Sequence, residues 1–164
     1  RRGLDDADVP AWVRAKQDLT LQLIRLHPRL FPGTRELLRT LADRARVAVV
    51  TTTWRENVEA FLEAAGLAGH VSLIVAKEDV EALKPAPDAY HKALERLKAA
   101  PDRAVAVEDS PRGLAAARAA GIPVVAVGHR RPKGDWAEGA RFVDSFEPPS
   151  EVLSQLGFPD RTDS

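Results

Sequence analysis

The sequence predicts an α/β protein built on a doubly wound parallel sheet, and three observations support that expectation. Short β-branched runs such as Val47-Ala48-Val49-Val50-Thr51 have the unbroken apolar character of strands buried on both faces. Stretches of helical period lie between such runs, the alternation that parallel crossovers require. The size fits as well: 164 residues, 45% apolar and 29% charged, make one globular domain or one with a small appendage.

The first helix is expected from Asp5 to His27, where Trp12, Leu19, Leu23 and Leu26 recur near one face with Val13 and Ile24 beside them. Asp8 is placed to cap it, and Pro10 is tolerated in a first turn. His27-Pro28-Arg29-Leu30-Phe31-Pro32-Gly33 reads as a connector, because two prolines and a glycine interrupt any period. A second helix follows over 34–44 through Leu37, Leu38 and Leu41. After the strand at 47–51, residues 54–65 are helical through Val58, Phe61 and Leu62, with Gly66 at the end. Strands at 71–76, 104–107 and 122–127 then alternate with helices at 87–99 and 111–120, and 142–144 makes a short fifth strand. The polar tail after Gly157 is expected to fray.

Composition excludes several classes of function. Lys plus Arg and Asp plus Glu are 24 each, so there is no basic excess for a nucleic-acid partner. Apolar runs of only a few residues cannot span a bilayer. The absence of cysteine removes disulfides, thiolate metal sites and cysteine nucleophiles together. A cytoplasmic location is the expectation. Met is also absent, and Arg1-Arg2-Gly3 opens the chain without a signal pattern, as in the remainder of a longer polypeptide.

In doubly wound sheets ligands bind beyond the carboxyl ends of the strands, so those ends identify the chemistry. Thr51-Thr52-Thr53 follows the first strand directly. Thr53 with Glu56 has capping-box spacing, and the turn suits either a cap or an anion held by backbone N–H groups and a hydroxyl. Lys84 stands in Lys84-Pro85-Ala86-Pro87-Asp88-Ala89-Tyr90, where prolines fix the backbone more firmly than a solvated lysine needs. Near a reacting phosphoryl group it would neutralise developing charge. Glu108 and Asp109 end the third predicted strand, and Ser110-Pro111 starts the next helix. Two adjacent carboxylates at that position suit Mg²⁺ better than a solvated acidic pair, since Mg²⁺ takes hard oxygen ligands together with substrate phosphate.

Taken in order, Val-Val-Thr-Thr-Thr, Lys-Pro-Ala-Pro-Asp-Ala-Tyr and Val-Glu-Asp-Ser-Pro-Arg-Gly-Leu-Ala-Ala-Ala resemble the later motifs of the haloacid dehalogenase-like hydrolases. The likeness is nearest to the phosphosugar phosphatase and β-phosphoglucomutase branch and covers about Phe31 to Phe146. It implies a Rossmann-like core over 31–157, the end of a helical cap and a connector over 1–30, and a tail over 158–164. It also implies Mg²⁺-dependent phosphoryl transfer from a small phosphorylated metabolite, with a sugar phosphate expected. By this resemblance Thr51 holds a phosphoryl oxygen with the backbone around Thr52, and Lys84 steadies phosphate and nucleophile. Glu108 and Asp109 hold Mg²⁺, while Thr53 and Arg55 touch a second phosphate or sugar group.

The first motif of that family, an apolar strand ending in Asp-x-Asp-Gly-Thr, has no convincing counterpart. Asp6-Ala7-Asp8 has the spacing, but no strand precedes it and no Gly-Thr follows. In the family this strand lies between those ending here at Thr51 and Glu108, so without it two half-sheets would face each other with unpaired backbone. The chain is therefore expected to be a fragment. A missing N-terminal segment, a second chain or a swapped element would complete the sheet, or else the half-sheets would pair directly. A well-packed monomer keeping that order without the central strand would contradict this expectation. Without a nucleophile the chain alone is expected to be inactive, and the alternative is a non-catalytic phosphate-binding or interaction module. A dinucleotide site is excluded, because no Gly-x-Gly-x-x-Gly follows any strand. His27, His70, His91 and His129 show no metal-ligand spacing. Trp12, Trp54 and Trp136 read as packing residues, with Trp54 beside the proposed site.

Overall fold

The computed structural model describes residues 9–158. Asp6-Ala7-Asp8, the predicted Asp8 cap and the tail beyond Phe158 lie outside the described residues. The elements alternate as expected: α1 (Val9–Leu26), α2 (Thr34–Ala42), β1 (Ala48–Val50), α3 (Arg55–Ala64), β2 (Leu73–Val75), α4 (Asp88–Leu97), β3 (Ala106–Glu108), α5 (Pro111–Ala119), β4 (Val124–Val127), β5 (Arg141–Val143) and α6 (Pro149–Leu156). Helix α6 was not anticipated, although Val152, Leu153 and Leu156 are buried at helical spacing behind Pro148-Pro149.

Among the described residues all strand pairing is parallel and falls into two sheets, β1-β2 and β3-β4-β5. Alternation along β4 shows why the sheet is doubly wound. Val124 and Ala126 face a core made with Tyr90, Leu94, Leu114 and Ala117, whereas Val125 and Val127 face one made with Leu37, Val152, Leu153 and Leu156. Helices α4 and α5 therefore cover one face, and α2 and α6 the other. The β1-β2 pair repeats this pattern, with Val49 and Ile74 against α3 and with Val75 and Leu73 against α4.

Strands β1 and β3 are not paired with each other, so direct closure of the half-sheets does not occur. Among the described residues each keeps one free edge. Val49, Val50, Val105 and Val107, beside those edges, are only half-buried, so packing does not close the interval.

Helix α1 departs from expectation. It packs on α3 through Leu21, which is 6% exposed, and through Gln17 Nε2 donating to Asn57 Oδ1 at 2.7 Å. The predicted apolar face points to solvent: Trp12 is 61% exposed, and Leu19, Leu23 and Leu26 are exposed with it. Trp12 is thus not a packing residue within the described chain. The connector behaves as read, turning at Gly33 with φ 76°, where a Cβ would meet the Phe146 carbonyl oxygen at 2.2 Å.

Candidate functional site

Lys84 ties the three predicted segments together. Its ammonium donates to Val50 O at 2.9 Å, one residue before Thr51, and pairs with Glu108 Oε1, one residue before Asp109. The threonine turn, the proline-flanked lysine and the acidic pair therefore meet at the carboxyl ends of β1 and β3. A cavity of about 260 Å³ opens there, lined by Thr52, Lys77, Leu83, Lys84, Ser110 and Arg112. It lies just below the roughly 300–1,000 Å³ typical of ligand pockets, a size that suits a small metabolite.

Glu108 is the most constrained group in the site. It is 8% exposed, and its Oε1 accepts from both Lys84 Nζ and the Tyr90 hydroxyl. Its Oε2 lies where a Cβ on Gly113 would sit, which is why α5 needs glycine in its first turn. A buried carboxylate is tolerable when paired and hydrogen-bonded in this way. Sequence reasoning found no structural role for both acids; Lys84 and Tyr90 supply one for Glu108. Tyr90 itself was overlooked, since nothing in its spacing says that a helix will aim its hydroxyl at a strand end. Burial first, and the Glu108 charge second, push its pKa far above the ordinary phenol value. Lys84 Nζ also lies 4.9 Å from the Tyr90 ring centroid.

Asp109 is half-buried and pairs through Oδ2 with Arg130 Nε at 3.1 Å. Ser110 caps α5 by accepting from Gly113 N at 3.2 Å, with Pro111 next, as the sequence indicated. Arg112 donates through its guanidinium to the Lys84 carbonyl oxygen and braces the lysine's backbone.

The threonine turn corrects one expectation. Thr53 and Glu56 do not form a capping box: Trp54 is the N-cap of α3 and makes no side-chain cap bond. Thr51 Oγ1 accepts from Thr53 N at 3.2 Å, and the helix start is capped instead by Glu78, whose carboxylate accepts from Arg55 N at 3.1 Å. Arg55 is braced at the start of α3. Its guanidinium donates to Asp79 Oδ2 at 2.5 Å and to Ile74 O at 3.0 Å. His129 serves packing, stacked on Phe31 at 4.0 Å between centroids and edge-on to Phe146 at 4.3 Å. Burial lowers its pKa, with Asp109 opposing.

A family model described as haloacid dehalogenase-like hydrolase matches residues 4–127. Protein CbbY of Rhodobacter capsulatus is 39% identical over 161 residues, covering 94% of this chain and 71% of the relative. A phosphoglycolate phosphatase of Rhodospirillum rubrum is 34% identical over 134 residues, covering 79% of this chain and 54% of the relative, so the chain spans about half of that enzyme. A crystal structure of a CbbY mutant from Rhodobacter sphaeroides in complex with xylulose-1,5-bisphosphate superposes with TM-score 0.79 at 35% identity. That match covers 94% of this chain and 70% of the other.

Proposed function

Because this chain belongs to the haloacid dehalogenase-like hydrolase family, we propose that it forms most of the core of an Mg²⁺-dependent phosphatase or phosphomutase acting on a small phosphorylated metabolite, a sugar phosphate by preference. The observation that supports this reading most directly is Lys84 bridging Val50 O and Glu108, which joins the ammonium to one carboxylate and brings the chain segments carrying Thr51 and Asp109 together. In this reading the Thr51 hydroxyl and the backbone at Thr52 hold a phosphoryl oxygen, with Thr53 nearer the substrate's remaining groups. Lys84 offsets charge that grows on the transferring group. Arg55, held by Asp79 at the start of α3, would touch a second phosphate or sugar group of the substrate.

The donor set fits Mg²⁺. Among the described residues no three His, Asp or Glu side chains could hold a metal. Mg²⁺, however, is commonly bound by one or two carboxylates plus substrate phosphate, and Glu108 and Asp109 would supply those carboxylates. When bound, the ion would neutralise phosphoryl oxygens. Asp109 would exchange its Arg130 pairing for that role, while Glu108 stays anchored by Lys84 and Tyr90.

A carboxylate nucleophile would come from an element entering between the free edges of β1 and β3, and helix α1 would be the end of a cap. A cytoplasmic location accords with such a substrate. Among the described residues no helix is long and apolar enough to cross a membrane.

The test is phosphate release from a panel of sugar phosphates, with and without Mg²⁺, by this chain and by an upstream-extended form. Mg²⁺-dependent turnover is expected from the extended form, falling about 10²-fold or more in Asp109→Asn, with little from the chain alone. Equal, robust turnover by both forms would remove the need for an added element. No turnover by either would favour a non-catalytic phosphate-binding module.

A further inference from the structure

The cations around the site differ in how firmly they are held. Lys84 pairs with Glu108, Arg112 donates to the Lys84 carbonyl oxygen, and the Lys77 ammonium stands 4.3 Å from the centroid of the Trp54 ring. Arg130 is held more loosely: its Nε lies 3.1 Å from Asp109 Oδ2, yet its side chain is 73% exposed. Among the described residues these two are each other's ion-pair partner and have no second one.

The backbone beneath this guanidinium is fixed. Gly128 N donates to Val143 O at 2.9 Å, which continues the β4-β5 pairing one residue past the strand. The His129 ring, next in the chain, is stacked on Phe31 and edge-on to Phe146. Arg130 therefore reaches Asp109 from an anchored base, and only its long side chain has room to move. An exposed ion pair of this kind is weak, because solvent screens it and holding both side chains costs entropy. Such a pair offsets the Asp109 charge and still yields the carboxylate to a competitor. Mg²⁺ is suited to be that competitor, since it takes carboxylate oxygen, and a guanidinium left on the same carboxylate would face it at short range with like charge. Glu108 has no such freedom, because Lys84 and Tyr90 both hold its Oε1 in a buried setting.

We propose that Arg130 is a tethered competitor for the cation site: it holds Asp109 until Mg²⁺ displaces it, and so sets the Mg²⁺ concentration at which the site fills. This rests on the reading of Glu108 and Asp109 as Mg²⁺ ligands and adds to it the regulation of that site.

The test is a heteronuclear NMR titration of the full chain with Mg²⁺ at low ionic strength, following the Asp109 amide and the Arg130 Nε–H signal with no substrate present. The proteins compared are wild type, Arg130→Gln and Arg131→Gln. The last removes the same charge from the adjacent residue, whose guanidinium lies 6.0 Å from the centroid of the Trp136 ring. In wild type both signals are expected to shift with one midpoint. That midpoint should fall about threefold in Arg130→Gln, the scale of a weak exposed pair, and stay in place in Arg131→Gln. The gap between wild type and Arg130→Gln should narrow as salt is added. An Arg130→Gln midpoint equal to that of wild type overturns the tether and leaves the Mg²⁺ reading standing. A fall of the same size in Arg131→Gln also overturns it, since the general field of the loop would then account for both. No movement of the Asp109 amide in wild type at any Mg²⁺ concentration overturns both readings.

Discussion

Tyr90 is the single tyrosine of the chain, which makes its environment directly measurable. Its hydroxyl donates to Glu108, and burial followed by the Glu108 charge raises its pKa from an ordinary 10.0. A raised folded-state pKa contributes stability that is complete below the unfolded value and is lost as pH climbs above it. Titration of phenolate absorbance should therefore show no tyrosine ionisation in the folded chain near pH 10, and ionisation should coincide with unfolding. Ionisation near pH 10 with circular dichroism intact would show that the Tyr90–Glu108 contact is absent. At the same scale, Lys84, Glu108 and Asp109 could be picked from the sequence because prolines and a strand end flagged them. Tyr90 could not, since its role depends on which strand α4 packs beside.

Between elements, the loop after β2 is what holds the start of α3. The sequence pointed to a local cap by Thr53 and Glu56, but the donor at Arg55 N is satisfied by Glu78, 23 positions away in the chain. Asp79 extends this brace, and its pKa is lowered chiefly by the Ala76 backbone N–H, with desolvation opposing and Arg96 and Arg55 assisting. A lowered carboxylate pKa contributes stability above the unfolded value near 3.8 that is lost as pH falls through the folded value. Asp79→Asn should thus cost about 1 kcal/mol at neutral pH, reduced from the full value of charged hydrogen bonds by solvent screening. The gap from wild type in denaturant melts should shrink as pH drops below about 3.8. A gap independent of pH would show that the carboxylate's charge is not what braces the loop.

At the scale of the whole molecule, the sheet is unequal along its width. Strand β4 is flanked on both sides and buried at every position, whereas among the described residues β1 and β3 each have one free edge beside half-buried valines. Amide exchange should follow that asymmetry, slowest in β4 and fastest for the β1 and β3 amides facing the interval. Uniform protection across β1, β3 and β4 would mean that the half-sheets close in solution. The exposed face of α1 also belongs to this scale. Its periodicity was readable, but the face that packs on α3 is the one carrying Gln17 and Leu21, not the one richest in Trp and Leu.

The sequence by itself determined the alternation of strands and helices, the parallel class of the sheet and the three segments, two at strand ends and one beside prolines, that meet around Lys84. These follow from side-chain period and turn chemistry, both local properties of a chain. Only the tertiary structure decided that Glu108 is held by Lys84 and Tyr90, that Glu78 caps α3, that Lys77 rests on Trp54, and that α1 presents its apolar stripe to solvent. Each of these joins residues from different elements, and such contacts form only when packing has fixed which faces meet.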